Sequence, residues 1–494
     1  MAPPEVEYTL IIDTNDNLVS RTEFSISLYV IQVVKIERCG ESKMRCALMT
    51  CFGDFVVEHN GSLSRAELTP VAIPANLYWF EFESNFDLAA KFDAFLIRKQ
   101  TTPHAIMLPG VGEVTLEFDP VSGEVSFKND RHYLCAQPDG QLVCNRPQRL
   151  LWETFLIVSE ESVQQLFELL RRRWVVKSSR RLITPGEIRL TSGPTLVCGE
   201  VKLPLRYNLP FEQRSFPFSF PIYVDGWRID ELVLYEPLAF YIGKGPDTIK
   251  ELVMSLDSLI HIGKFDGKLF VYTDASREEI QSVIPGFPPQ NLFVVDHVAD
   301  DWLGFVSGRF SILTEAVAAQ CAPVAYFDTD ILFNAPCERM FIDMVCAGKP
   351  TAAIEHFSKL AVWPSVGSEL LQQDNVLISG GAGFNFGTFG IPNLKDYGHI
   401  LRAIRAVLKN YVDIHGRGSL YWLDQAAANY VSYMYAAFDT AELTRHIRFG
   451  WQSDAFRLGA LTGLVHFFGI PRKQRLEPMR HYLGLLKAHY ELIS

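Results

Sequence analysis

Two aspartates, Asp328 and Asp330, stand two residues apart in the stretch Pro323–Asn334, "PVAYFDTDILFN". Apolar and aromatic residues run into them and apolar residues follow, so acids interrupt a segment that reads as a buried strand. The i, i+2 spacing directs both side chains toward one side of an extended chain. Two carboxylates held that close repel each other unless a cation lies beside them. Hard oxygen donors suit Mg2+, Mn2+ or Ca2+. A cation there can bridge to a diphosphate and neutralise it as it leaves. In open α/β sheets ligands bind beyond the carboxyl ends of strands, which is where this pair falls.

More candidate chemistry follows in order along the chain. Asn385 and Gly387 lie in "GGAGFNFGTFGIPN", and Asp424–Gln425 open an apolar helical stretch in "LYWLDQAAANYV". Near the C-terminus, "LVHFFGIPRKQRL" carries His466, Gly469, Arg472 and Lys473. Plainer readings exist for each: His466 as a core residue, Asn385 as a turn residue, Asp424 as a helix N-cap. Taken as an ordered set over roughly residues 228–480, these motifs resemble the GT-A glycosyltransferases. The closest resemblance is to the glycogenin/galactosyltransferase-like family, family eight.

The resemblance implies a metal site made of Asp328, Asp330 and His466. Mn2+ is the expected ion, since an imidazole ligand favours it over Mg2+, which remains the alternative. It also implies that Asp424, Gln425 and Asn385 join the two acids around the reacting sugar, with Thr329, Gly387 and Gly469 close to the nucleotide sugar. Arg309 matches an arginine that contacts the nucleotide or sugar. The family's late lysine binds the diphosphate; Arg472 occupies its position here and Lys473 is one residue late, so either cation can supply the charge. The Pro-Trp pair that usually follows is missing. Tyr235 and Tyr241 are candidates to stack on the base, and Thr273 and Asp274 fall at the end of the second strand.

The elements that must position these residues can be read from residue rhythm. From about Arg228 onward, apolar strands alternate with helical patterns: "ELVLYEP", "DTIKELVMSLDSLIHIG", "GKLFVYTD", "SREEIQSVIP", "NLFVVDH", then the helical "GRFSILTEAVAAQ" before the aspartates. This alternation predicts an α/β GT-A domain, Rossmann-like with a mainly parallel mixed sheet, over residues 218–494. The first ~200 residues read instead as short strands between Gly, Pro, Asp and Asn turns. "MRCALMTCFGDFVV" from Met44 and "HYLCAQPDGQLVC" from His132 form a faint repeat, with "HAIMLPGVGEVTLEFD" as a degenerate middle copy. The later copy, through "LWETFLIV", resembles a fascin-like or ricin-B-like β-trefoil lobe. An irregular β-domain is the alternative. The expected order is an N-terminal segment (1–24), an all-β, trefoil-like domain (25–160), a connecting segment (161–217) and the GT-A domain. "RRRW" at Arg171–Trp174 reads as a solvated helix face.

Composition bounds the partners. The 494 residues are 48% hydrophobic and 21% charged, with net charge −11, which argues against a general binder of nucleic acid or anionic membranes. No run of about 18 apolar residues predicts a membrane span, and the N-terminus lacks the basic and apolar regions of a signal peptide. Nine cysteines without a CxxC pair fit a reduced, cytoplasmic protein. The expected activity is sugar transfer from a nucleoside-diphosphate sugar, with a UDP-sugar and retention implied by the resemblance, to an unknown acceptor. The trefoil-like domain would take a protein or glycan ligand. A nucleotidyltransferase or a non-enzymatic scaffold are the rival readings; "YIGKGPDT" lacks the spacing of a phosphate-binding P-loop.

Overall fold

A computed structural model describes residues 43–83, 105–118, 124–191, 195–198, 201–204, 218–224, 227–297, 302–378, 380–416, 423–459 and 461–493. The N-terminal segment, the apolar run at residues 25–34 and the Pro-rich stretch at 205–217 lie outside the described residues.

The strands among the described residues of 43–159 pair antiparallel. Lys43–Thr50 pairs with both Trp79–Glu83 and Phe155–Ser159, with Cys46 opposite Ser159 and Thr50 opposite Phe155. The PDG turn behaves as its residues require. Gly140 takes a φ of +96°, and the turn joins Tyr133–Ala136 to Leu142–Arg146. The other quoted copy, from Met44, also folds as a hairpin, Lys43–Thr50 against Phe55–His59.

A helix, Glu160–Arg171, then starts at Ser159, whose Oγ accepts the Ser162 N–H at 3.2 Å. Val163, Leu166, Leu169 and Leu170 are its buried face. In the "RRRW" segment, Arg171 and Arg172 pair with Glu168, and Arg173 pairs with Asp266 at 2.7 Å. Trp174 is fully buried, its Nε1–H donating to Leu169 O at 3.0 Å. One apolar core runs from Ala47 and Leu166 through Trp174 and Val233 to Tyr241 and Phe327. Residues 43–494 accordingly form one unit.

Strands with apolar residues at every position must be covered on both faces. β1 (Leu238–Gly243) and β4 (Val324–Phe327) are buried at every residue. Between them in sequence come α1 (Pro246–His261), β2 (Lys268–Thr273), α2 (Arg277–Val283) and β3 (Leu292–Asp296). β5 (Ile331–Phe333) leaves the main sheet after the aspartates, and β6 (Thr351–Lys359) and β7 (Ala382–Ile391) rejoin it. The sheet order is β3-β2-β1-β4-β7-β6. β1 to β4 are parallel, while β7 is antiparallel to both β4 and β6. The mixed α/β sheet expected from the alternation is present. The order reverses between β1 and β4, which opens a crevice beyond their carboxyl ends.

Further elements of this region include α3 (Leu394–His415), α4 (Leu423–Tyr435), β8 (Ile447–Phe449), β9 (Leu464–His466) and α5 (Arg472–Ile493), of which α4, β9 and α5 line the crevice. The helix expected over "GRFSILTEAVAAQ" is instead two short 3-10 turns, Gly308–Thr314 and Ala318–Gln320. There, Thr314 Oγ1 donates to Ser311 O at 2.8 Å, a local bond that competes with regular helix. Among the described residues, no helix is long and apolar enough to cross a membrane.

Candidate active site

Asp328 begins where β4 ends, and its N–H still donates to Gly387 O of β7 at 2.7 Å. Three residues later, β5 pairs antiparallel with β9, with Ile331 opposite His466. The Phe467 N–H also donates to Asp330 O at 2.9 Å. A histidine 136 positions beyond Asp330 is thereby fixed beside it by backbone pairing. His466 Nε2 lies 3.2 Å from Asp330 Oδ1 and 3.9 Å from Asp328 Oδ2. One donor atom from each of the three residues falls within 4.8 Å of the others.

The other oxygen of each carboxylate is already engaged. Tyr326 Oη donates to Asp328 Oδ1 at 2.6 Å, and Arg309 Nη2 is 3.4 Å from the same oxygen. Arg475 Nη1 is 2.6 Å from Asp330 Oδ2. Cations and a hydroxyl therefore fix the outer edges of both carboxylates, as the outer partners of metal ligands do. This donor set fits a divalent cation with one imidazole ligand.

Charge follows the geometry. Burial pushes Asp330 up, but His466 and Arg475 outweigh it and hold its carboxyl below the usual range. Desolvation raises Asp328 against the pull of Arg309. Burial works against a charged His466, and the two aspartates more than compensate, raising its affinity for a proton.

The opposite wall is built by side chains reaching from α4 and β6 to β7. Asn385 Nδ2 donates to Glu355 Oε1 at 2.7 Å, and Asn385 Oδ1 accepts the Gly387 N–H at 2.8 Å. Gln425 Nε2 donates to the same Glu355 oxygen at 3.3 Å, and Gln425 Oε1 accepts the Phe386 N–H at 3.2 Å. These side chains satisfy backbone where the β6–β7 register shifts. A Cβ on Gly387 would sit 2.3 Å from Asp328 Oδ2 and 2.6 Å from His466 Cε1, so only glycine fits there. Asp424 lies one residue inside α4, its Oδ2 in close contact with Arg309 but not aligned as a hydrogen bond. Burial pushes Asp424 up to about 6, against Arg309.

The cleft between these walls encloses about 320 Å3. Thr329 lines it and donates to Glu251 Oε2 at 3.2 Å. Arg472, the first residue of α5, lines it as well and contacts the Thr248 hydroxyl. Other candidates lie elsewhere. Tyr235 is buried beneath Arg173, and Tyr241 is fully buried facing α1, its Oη 3.4 Å from Ser255 Oγ, so neither ring reaches the cleft. The adjacent Ile242 faces the cleft instead, because side chains alternate along a strand. Thr273 is buried and accepts the Ala275 N–H. The Asp274 carboxylate accepts the Gly245 N–H at 3.2 Å and borders a separate groove. Lys473 is exposed and does not line the cleft, and Gly469 forms a turn at φ +91° beside Trp451. Motif reading missed Glu251, Glu355, Tyr326 and Arg475. The one readable signal was Arg475, three residues after Arg472 on a helical pattern.

No family model matches this chain, and no curated protein matches it. Solved structures similar to parts of it include galactosyltransferase LgtC in complex with donor and acceptor sugar analogs. That likeness has 14% identity and a TM-score of 0.36, over 50% of this chain and 95% of LgtC. The glycosyltransferase GlyE of Streptococcus pneumoniae TIGR4 matches at 14% identity and TM-score 0.34, over 52% of this chain and 63% of its own. The bifunctional glycosyltransferase WbbM matches at 13% identity and TM-score 0.36, over 50% of this chain and 49% of its own. Similarity this low assigns no activity.

Proposed function

We propose that this protein is a metal-dependent glycosyltransferase that moves a sugar from a nucleoside-diphosphate sugar to an acceptor. The observation that carries the reading is the convergence of Asp328, Asp330 and His466 at the reversal point of an α/β sheet, in a cleft flanked by arginines. Mn2+ is the expected ion, and the family resemblance implies a UDP-sugar donor and retention at the anomeric carbon. When bound, the cation supplies Lewis-acid neutralisation of the leaving diphosphate.

The chain's own residues do the rest. Arg309 holds Asp328 and Asp424 in register across the cleft. Arg472 and the amino end of α5 favour anionic oxygens. Ile242, Phe305 and Val306 give the cleft an apolar side. Asn385 and Gln425 hold their wall through Glu355, which keeps its shape fixed as the donor enters. Asp424 faces the sugar pocket. No side chain is assigned as covalent nucleophile or general base. The N-terminal antiparallel region is read as a β-trefoil that takes a protein or glycan ligand, in a cytoplasmic protein.

The test is nucleotide release from a panel of UDP- and GDP-sugars, with Mn2+ and with chelator. Slow Mn2+-dependent hydrolysis of one donor, lost in Asp328→Ala/Asp330→Ala, is the expected result. Absence of turnover together with absence of a nucleotide-induced thermal shift across the panel overturns the reading.

A further inference from the structure

Arg475 lies outside the motif that singled out Arg472 and Lys473, yet it is the arginine in contact with Asp330. The first turn of α5 explains this. Residues three apart on a helix share a face, so Arg472 and Arg475 both line the cleft while Lys473 does not. Arg475 Nε and Nη2 donate to Ile470 O at 3.3 and 3.1 Å, which anchors that edge of the guanidinium. Nη1 is left at the carboxylate end, 2.6 Å from Asp330 Oδ2 and 3.9 Å from Glu251 Oε1. Glu251 is only 2% exposed, and its Oε1 has no hydrogen-bond partner among the described residues.

Asp328, Asp330, Asp424 and Glu251 line the cleft with Arg309, Arg472 and Arg475, so its carboxylates exceed its arginines by one before any ligand arrives. A divalent cation entering alone overshoots that difference and leaves net positive charge in a partly desolvated site. A diphosphate entering alone adds unmatched negative charge beside the same carboxylates. Either imbalance is costly where water is scarce, and the two cancel when they enter together.

We propose that Arg475 is an exchange counter-ion: it neutralises Asp330 in the free protein and turns to the diphosphate when a divalent cation takes Asp330. Cation and nucleoside diphosphate then each bind well only in the other's presence. This rests on the reading of the cleft as a metal and nucleotide-sugar site.

The experiment is Mn2+ binding by loss of the free-ion paramagnetic resonance signal, with and without saturating UDP, corrected for the Mn2+–UDP complex in protein-free solution. In the wild type, UDP should raise Mn2+ affinity within the ~5- to 150-fold span usual for coupled sites. In Arg475→Gln that factor should fall several-fold, because Mn2+ binds better without UDP, leaving the part that comes from direct contact between cation and diphosphate. Arg475→Met, which keeps the packing of the aliphatic stem, should do the same and covers a folding failure of the first variant. Arg480→Gln, on the exposed part of α5, should leave the coupling intact. Wild-type coupling preserved in both Arg475 variants overturns the proposal, as does Mn2+ binding that needs Asp328 and Asp330 but ignores UDP. Mn2+ binding that does not depend on those aspartates overturns the metal reading itself, and this proposal with it.

Discussion

At the scale of single residues, the cleft depends on how closely backbone can approach two carboxylates. Gly387 supplies that approach. Its substitution by alanine drives a methyl group into Asp328 and His466, neither of which can retreat without breaking its own contacts. Gly387→Ala should cost about 1–3 kcal/mol of stability and reduce donor hydrolysis far more than it lowers the melting temperature, measured on the same preparation. Glu355 tests the opposite wall. Replacing it with leucine leaves Asn385 Nδ2 and Gln425 Nε2 without their shared acceptor, at about 1–3 kcal/mol for each stranded group. Chemical denaturation should show the loss, and Glu355→Gln, which retains an acceptor oxygen, should recover part of it.

At the scale of elements, His466 and the arginines of α5 owe their place to docking, not to local sequence. β5 and β9 pair, and α5 then packs Met479, Tyr482, Leu483 and Leu486 against Leu332, Val465 and Phe467. Leu486 is fully buried and fourteen residues beyond Arg472, so it touches none of the cleft. Leu486→Ala should cost about 2–5 kcal/mol and weaken UDP binding by loosening the first turn of α5, which carries Arg472. Unchanged UDP affinity in a destabilised variant would show that the first turn is held by its own contacts with Thr248, Asp330 and Ile470 alone.

At the scale of the whole molecule, the turn at Lys177–Arg180 is tied to the α/β region through charge. Arg180 pairs with Glu442 at 2.7 Å and also with Asp343, which in turn accepts from His446 Nε2 at 2.7 Å. The Arg180 hydrogen bond, the leading cause, holds Glu442 below the usual carboxylate range. A depressed carboxylate binds its proton less tightly when folded. Its stabilisation is therefore full above the unfolded pKa of about 4.3 and fades as pH falls through the lower folded value. Arg180→Ala should lower stability at pH 7 and flatten its acid dependence, read from denaturation midpoints at pH 7 and pH 3. A parallel loss at both values would assign Arg180 a packing role.

The sequence by itself determined the local facts. Strand rhythm, the PDG hairpin turn, the alternation of strands and helices and the placing of Asp328 and Asp330 at a strand end all follow from residue spacing, because backbone periods are local. It also ordered the motifs that meet in the cleft. Tertiary structure alone decided which members of those motifs face inward. Tyr241 and Ile242 are neighbours in one strand, and alternation sends one to the core and the other to the cleft. Arg472 and Lys473 are neighbours in one helix turn, and the docking of α5 turns one toward the cleft and the other to solvent. Glu251 and Glu355 carry no local mark, because their partners lie tens to hundreds of positions away and meet them only through packing of the sheet, α1 and α5.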